Sequence, residues 1–152
     1  MGAPLTYVLR FHRPAYAQGT AEPPTTGPGL TVHTRVVDGS LAAQLDELGG
    51  AEATLELTFA VNQDSTLFFE WGSVRFGAAG AASLSFSSIG TGTLLPDADA
   101  DGFRHGTVSY LVTGGTGALA GASGIINSNF LLNLDPDSNE LVDTHLGVIH
   151  LP

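Results

Sequence analysis

The chain has 152 residues, of which 43% are apolar, 13% are charged and none is cysteine, and its net charge is −10. That length suits one domain with a substantial core, and the lack of cysteine excludes disulfides, thiolate catalysis and cysteine-ligated zinc. An acidic chain with five Lys and Arg residues repels phosphates, so neither nucleic acid nor an anionic membrane is an expected partner.

The N-terminal sequence has no basic region followed by a long apolar core, so we expect no signal peptide. No apolar run is long enough to span a bilayer as a helix. The expected location is therefore the cytoplasm. A folded domain is expected, since apolar residues are abundant.

The first segment alternates between apolar and polar residues, which predicts a strand over Leu5–Arg13 with Tyr7, Leu9 and Phe11 on its apolar face. Residues 14–29 then hold four prolines, a density that neither a helix nor a central strand tolerates. A connection of this length is either a cap over one mouth of the fold or a mobile loop.

Alternation resumes over Leu30–Val37, and Asp38-Gly39 supplies a turn. Leu41–Leu48 alone has helical spacing, and Gly49-Gly50 ends it. We expect a short helix or a loop with one apolar stripe there, plugging one end of the fold.

Two central segments carry the clearest strand patterns. Ala51–Val61 has one apolar face, so one side is expected in the core and the other in water. Thr66–Phe76 is apolar on both faces, with Phe68 on one and Phe69 and Trp71 on the other. An exposed apolar surface is seldom left wet, so we expect a homo-oligomer, either a dimer or a trimer.

The second half predicts a strand over Ala81–Gly92, a loop over Leu94–Gly102, and strands over Phe103–Thr113, Ile125–Asp135 and Leu141–Leu151. Eight strands joined mostly by short turns are typical of an up-and-down antiparallel barrel or a sandwich.

A glycine-rich stretch, Gly114–Gly124, separates two of these strands. Part of it is superficially similar to a nucleotide-binding fingerprint. Such a loop needs a helix immediately afterwards, whereas the residues after Gly124 alternate like a strand. We therefore interpret the stretch as a hairpin that needs positive φ angles or close backbone approach.

The sequence Tyr110–Gly124, with Gly-Gly-Thr-Gly followed by Leu119 and Gly-Ala-Ser-Gly, resembles the signature of the allene oxide cyclase and dirigent barrels. The resemblance implies an all-β fold, a single eight-stranded antiparallel up-and-down β-barrel over residues 1–152 with a hydrophobic lumen. It also implies a cofactor-independent cyclase or isomerase that directs an intramolecular cyclisation of a hydrophobic small molecule. Bacterial barrels that cyclise polyketides, including Diels–Alder cyclases, are similar in architecture, which indicates natural-product biosynthesis.

Glu70 is the carboxylate that we single out as a catalytic candidate. It shares its face of the strand with Phe68, Val74 and Phe76. If that face lines the lumen, desolvation raises the pKa of Glu70 and suits it to proton transfer. In the alternative orientation Trp71 points inward and Glu70 lies on the surface, as most glutamates do.

Tyr7 and Tyr110 complete the catalytic candidates, because each places a phenol on an apolar strand face. Such a phenol either orients a substrate carbonyl or bonds to the backbone from the core. Arg104 shares the face of Tyr110 near a strand end, where it either meets an acidic substrate group or extends to solvent. The predicted substrate-binding residues are Phe11, Leu57, Phe59, Phe68, Arg104 and Phe130.

No metal or cofactor is expected. The five histidines lack metal-ligand spacing, and surface imidazoles explain them. Residues 97–102 copy the first half of a calcium loop, but Val108 stands where the bidentate acid belongs, so an acidic hairpin tip competes with a calcium site.

Two other functions compete with catalysis. A barrel whose lumen has no titratable group would be a non-catalytic carrier of an apolar ligand, and a barrel packed solid would be purely structural. An ionisable group beside an open cavity would favour the enzyme.

Overall fold

The structure is a computed structural model that describes residues 4–13, 29–39, 52–77, 81–96, 102–135, 137–138 and 140–152, with the backbone alone for 29–39 and for residue 52. These residues form nine strand segments and one 3₁₀ turn, Gly117–Leu119. The strands are β1 (Leu5–Arg13), β2 (Gly29–Gly39), β3 (Glu52–Val61), β4 (Leu67–Phe76), β5 (Ala82–Ser88), β6 (Gly92–Pro96), β7 (Phe103–Thr116), β8 (Ser123–Asn133) and β9 (Leu141–His150).

The strands close into one antiparallel ring. Each position pairs with the next along the chain, and β9 returns to pair with β1. Segments β5 and β6 share one position, because both pair with β4 on one side and β7 on the other. The predicted all-β fold, an eight-stranded up-and-down β-barrel, is confirmed.

The shared position differs from the expectation of one strand over Ala81–Gly92 followed by a loop. Pairing stops at Ser88 and resumes at Gly92, so Leu94 lies in a strand. The physical reason is Gly90, which has a positive φ of 71° that cannot continue an extended strand.

In one half of the barrel, here called the solid half, the described side chains that point inward are packed together. Its interior is filled by fully buried side chains, and the ring of Tyr7 packs edge-on against Phe76 at 6.0 Å. The glycine-rich stretch lies at this end as the predicted hairpin, with Leu119 buried in the core. A Cβ at Gly117 would collide with the carbonyl of Ala81, and φ there is +60°, so glycine is required.

The outer surface of β4 is apolar, as predicted. Leu67, Phe69 and Trp71 are exposed, and the rings of Phe69 and Trp71 pack together at 5.9 Å. Self-association through this surface stays a prediction.

Several sequence predictions lie outside the described residues. They are the helical spacing of Leu41–Leu48, the cap or loop at 14–28 and most of the acidic loop at 97–102. Across the part of the chain that the structure describes, no helix has the length and apolar character to cross a membrane.

Candidate functional site

The other half of the barrel holds a cavity of about 190 Å³. It lies where β3 and β8 end and β4 and β9 begin. A dry cavity of about 150 Å³ is large enough for a benzene ring, so this one accommodates a ring and its substituents. Its described lining residues are Leu57, Phe59, Val61, Ser65, Phe68, Glu70, Leu94, Phe130, Leu132, Leu134, Leu141 and Asp143.

Two glycines on the wall hold this half of the lumen open. The ring of Phe68 lies where a Cβ on Gly92 would be, and the ring of Phe130 lies where a Cβ on Gly106 would be. The two rings therefore rest against the wall and contact each other at 5.5 Å. A side chain at either glycine would push a ring into the cavity.

Glu70 faces the interior, with 5% of its surface exposed, whereas Trp71 is 44% exposed. The pairing of β4 with the split strand explains how Glu70 is anchored. On β4, Trp71 pairs with Ser87 of β5 and Phe68 pairs with Gly92 of β6. Glu70 lies between these two residues and therefore opposite the break between β5 and β6. The Ser88 hydroxyl replaces the missing strand there, accepting from the Glu70 N–H at 2.8 Å and donating to the Glu70 carbonyl at 2.7 Å.

Tyr110 is the hydrogen-bond partner of the Glu70 carboxyl. Its buried hydroxyl donates to Glu70 Oε1. The pKa of Glu70 is raised from 4.5 to about 7, mainly by burial. The hydrogen bond from Tyr110 lowers this pKa, the charge of Asp143 raises it, and the electrostatic interaction with His145 lowers it. The pKa of Tyr110 lies well above its usual range, chiefly through burial and then through the charges of Glu70 and Asp143.

Asp143 faces Glu70 across the lumen, because β4 and β9 are separated by three strand positions in either direction around the ring. It is almost fully buried. Asp143 Oδ1 accepts from the Ser128 hydroxyl at 2.7 Å, and Oδ2 is 3.0 Å from His145 Nε2. The interior therefore holds a polar cluster of Glu70, Tyr110, Ser128, Asp143 and His145.

The sequence reasoning missed Asp143 and expected a surface position for His145, which is in fact fully buried. The cause is the pattern of β9. Its outer face carries Val142, Leu146 and Val148 and is more apolar than the inner face, so alternation favours the wrong face. The one available signal was Ser128, a hydroxyl that alternates with Ile126 and Phe130 on one face of β8.

Four predicted substrate-binding residues line the cavity: Leu57, Phe59, Phe68 and Phe130. Phe11 is not among the described lining residues and packs against His145, at 5.0 Å between ring centroids. Arg104 is half-buried outside the lining and donates from Nη1 to the Phe103 carbonyl at 3.0 Å.

The structure does not bring Tyr7 to the other two catalytic candidates. It is fully buried in the solid half, and its hydroxyl has no hydrogen-bond partner in the described part of the chain. Burial raises its pKa. Tyr7 is therefore a core residue in this arrangement, whereas Glu70 and Tyr110 are in direct contact.

No group of three or more His, Asp or Glu side chains among the described residues is arranged to hold a metal ion. Of residues 97–102, for which a calcium loop and an acidic hairpin tip are the two alternatives, the structure describes only Gly102.

No protein-family model matches the sequence, and no curated protein sequence is significantly similar to it. Among solved structures, the chain is similar to the pterocarpan synthase dirigent protein GePTS1. The identity is 15% and the TM-score 0.44, over 99% of this chain and 88% of that one. The barrel assignment accordingly rests on the strand pairing, and the function on the cavity.

Proposed function

We propose that this barrel binds a hydrophobic small molecule in its open half and directs an intramolecular cyclisation or isomerisation of it, with Glu70 as the acid–base group. One observation carries the proposal, namely a buried carboxyl with a raised pKa in the wall of a mostly apolar cavity. A carboxyl in such a place is costly to bury, so its presence favours a chemical role.

The pKa of Glu70, about 7, leaves both its acid and its carboxylate forms populated near neutral pH. A group in that range both donates and accepts a proton at useful rates. The hydrogen bond from Tyr110 and the anchoring of the Glu70 backbone by Ser88 fix the carboxyl in one orientation. Proton transfer at a defined atom of the bound molecule follows from that fixed position.

The apolar lining supplies the rest of the mechanism. Nine of the twelve described lining residues are apolar. They exclude water and restrict the conformations of a flexible ligand, and such restriction can lower a barrier by several kcal/mol. We assign Leu57, Phe59, Phe68 and Phe130 to this binding role.

A non-catalytic carrier is the second candidate, and the same apolar lining favours it. A carrier has no use for Glu70 as a proton donor. The two functions therefore differ in what replacement of that carboxyl does.

The decisive experiment incubates flexible, hydrophobic linear precursors with the protein and follows isomeric products by chromatography. Glu70→Gln should abolish product formation while ligand binding persists. Glu56→Gln, an exposed carboxyl on the outer face of β3, is the control that should leave the rate unchanged. Binding of precursors with no product, or equal turnover by Glu70→Gln, would establish the carrier or remove Glu70 from the mechanism.

The proposal also includes a homo-oligomer formed through the exposed β4 surface and a location in the cytoplasm. Natural-product biosynthesis is the setting that it suggests.

A further inference from the structure

We propose that the natural ligand of this cavity is a hydrophobic molecule carrying a positively charged nitrogen, that is, a protonated or quaternary amine. The inference rests on the proposed function, because it names the substrate class of the same site. It follows from the charges in the cavity wall and from what surrounds them.

Two carboxyl groups meet the cavity from opposite sides of the barrel. Glu70 comes from β4 and Asp143 from β9, and both are almost fully buried. The described lining contains no Lys, Arg or His to balance them. A buried anion without a cation is unfavourable, and a positively charged ligand between the two walls relieves that cost.

His145 is outside the described lining of the cavity. Its Nε2 contacts Asp143, whereas its buried Nδ1 has no hydrogen-bond partner in the described part of the chain. Asp143 contacts His145 Nε2 and accepts from the Ser128 hydroxyl, and no basic side chain is among the described residues that line the cavity itself.

Aromatic rings provide the second half of the site. Phe59, Phe68 and Phe130 line the cavity beside the carboxyls. The faces of such rings attract cations, above all when water is excluded. A carboxylate ligand would meet two acidic groups and no described cation in the lining, so the same cavity disfavours an anion.

Three probes of one shape separate charge from size. Benzyltrimethylammonium carries a permanent positive charge, neopentylbenzene is its neutral carbon isostere, and 2,2-dimethyl-3-phenylpropanoate is a close anionic analogue. Dissociation constants are measured by methyl NMR titration at pH 8. We expect the ammonium to bind about tenfold more tightly than neopentylbenzene, and the carboxylate to bind most weakly.

Matched variants assign the preference to the cavity. Asp143→Asn should weaken ammonium binding by about tenfold and leave neopentylbenzene unchanged. Glu56→Gln removes the same charge from the outer surface, where Glu56 pairs with Arg75, and should change neither. Equal losses in the two variants would show that only net charge matters and would overturn the inference.

The pH dependence of the wild type tests the inference even if Asp143→Asn fails to fold. The titratable groups that face Glu70 are Tyr110 from β7 and Asp143 and His145 from β9. A bound cation favours ionised Glu70, so ammonium affinity should rise roughly fivefold from pH 6 to pH 8 for a one-unit drop in its pKa. Neopentylbenzene affinity should not rise.

Each outcome is decisive. Equal or tighter binding of neopentylbenzene or of the carboxylate, or no binding by any probe, overturns the inference. The charge order without turnover of any precursor would support the ligand class while contradicting the catalytic proposal. Turnover that needs Glu70, without tighter binding of the ammonium than of the other two probes, would support the catalytic proposal and overturn the ligand class.

Discussion

The raised pKa of Glu70 has a measurable effect on stability, and Glu70→Gln isolates it. A carboxyl whose pKa is higher in the folded state penalises folding once it ionises. The penalty is absent below pH 4.5, grows as the pH rises towards 7 and stays constant above that. A difference between 4.5 and about 7 corresponds to roughly 3 kcal/mol at 1.36 kcal/mol per pKa unit.

The assay is urea unfolding of the wild type and Glu70→Gln at pH 5 and pH 8. The wild type should lose roughly 2.5 kcal/mol more unfolding free energy across this range than the variant does, because glutamine does not titrate and a small part of the penalty is already present at pH 5. Titrating groups remote from the cavity are shared, so they cancel in the comparison. Glu56→Gln, which removes an exposed carboxyl, should keep the wild-type pH dependence. If the unfolding free energies of the wild type and Glu70→Gln depended on pH in the same way, the claim that Glu70 is buried with a raised pKa would be refuted.

Three further predictions follow from the same geometry. Tyr110→Phe removes the hydrogen bond that lowers the pKa of Glu70, so the pH midpoint of Glu70, followed by ¹³C NMR, should move above 7; no movement would contradict the contact. Gly106→Ala places a Cβ in the ring of Phe130, so it should destabilise the fold by about 1–3 kcal/mol and weaken ligand binding. Gly114→Ala is the matched control for Gly106→Ala, because nothing lies within 4 Å of a Cβ at Gly114. Equal losses of stability in the two variants would contradict the packing of the Phe130 ring against Gly106. Trp71→Ala should lower the oligomeric state in sedimentation velocity and leave ligand affinity intact; an unchanged assembly would exclude Trp71 from the interface.

Much of the fold could be predicted because short strands with one apolar face leave a strong period-two pattern. Leu5–Arg13 begins and ends where the alternation does, and the glycine-rich stretch forms the expected hairpin. The break at Gly90 could not be predicted, because a positive φ inside a strand depends on the twist and register of its neighbours. That break is what leaves the Glu70 backbone to be bound by Ser88.

The site was predictable where chemistry and hydrophobic pattern agreed. Glu70 shares its strand face with Phe68 and Phe76, so the alternation of the strand was enough to identify it as a candidate. The structure is needed to show that Glu70, and not Trp71, points into the barrel. Asp143 and His145 could not be found in this way, because they interrupt the apolar inner face of β9 between Leu141 and Ile149, while the outer face carries Val142, Leu146 and Val148. Alternation identifies the more apolar face of a strand, which normally points into the core. Where a polar cluster lies in the lumen, the more apolar face can point outward instead.

The most direct test of the account is a ¹³C NMR titration of the Glu70 side-chain carboxyl in the wild-type protein. The account predicts a midpoint near pH 7, set by burial in the cavity wall and by the charge of Asp143. A midpoint near 4.5, the ordinary value for glutamate, would place the carboxyl in water and contradict both the site and the function proposed for it.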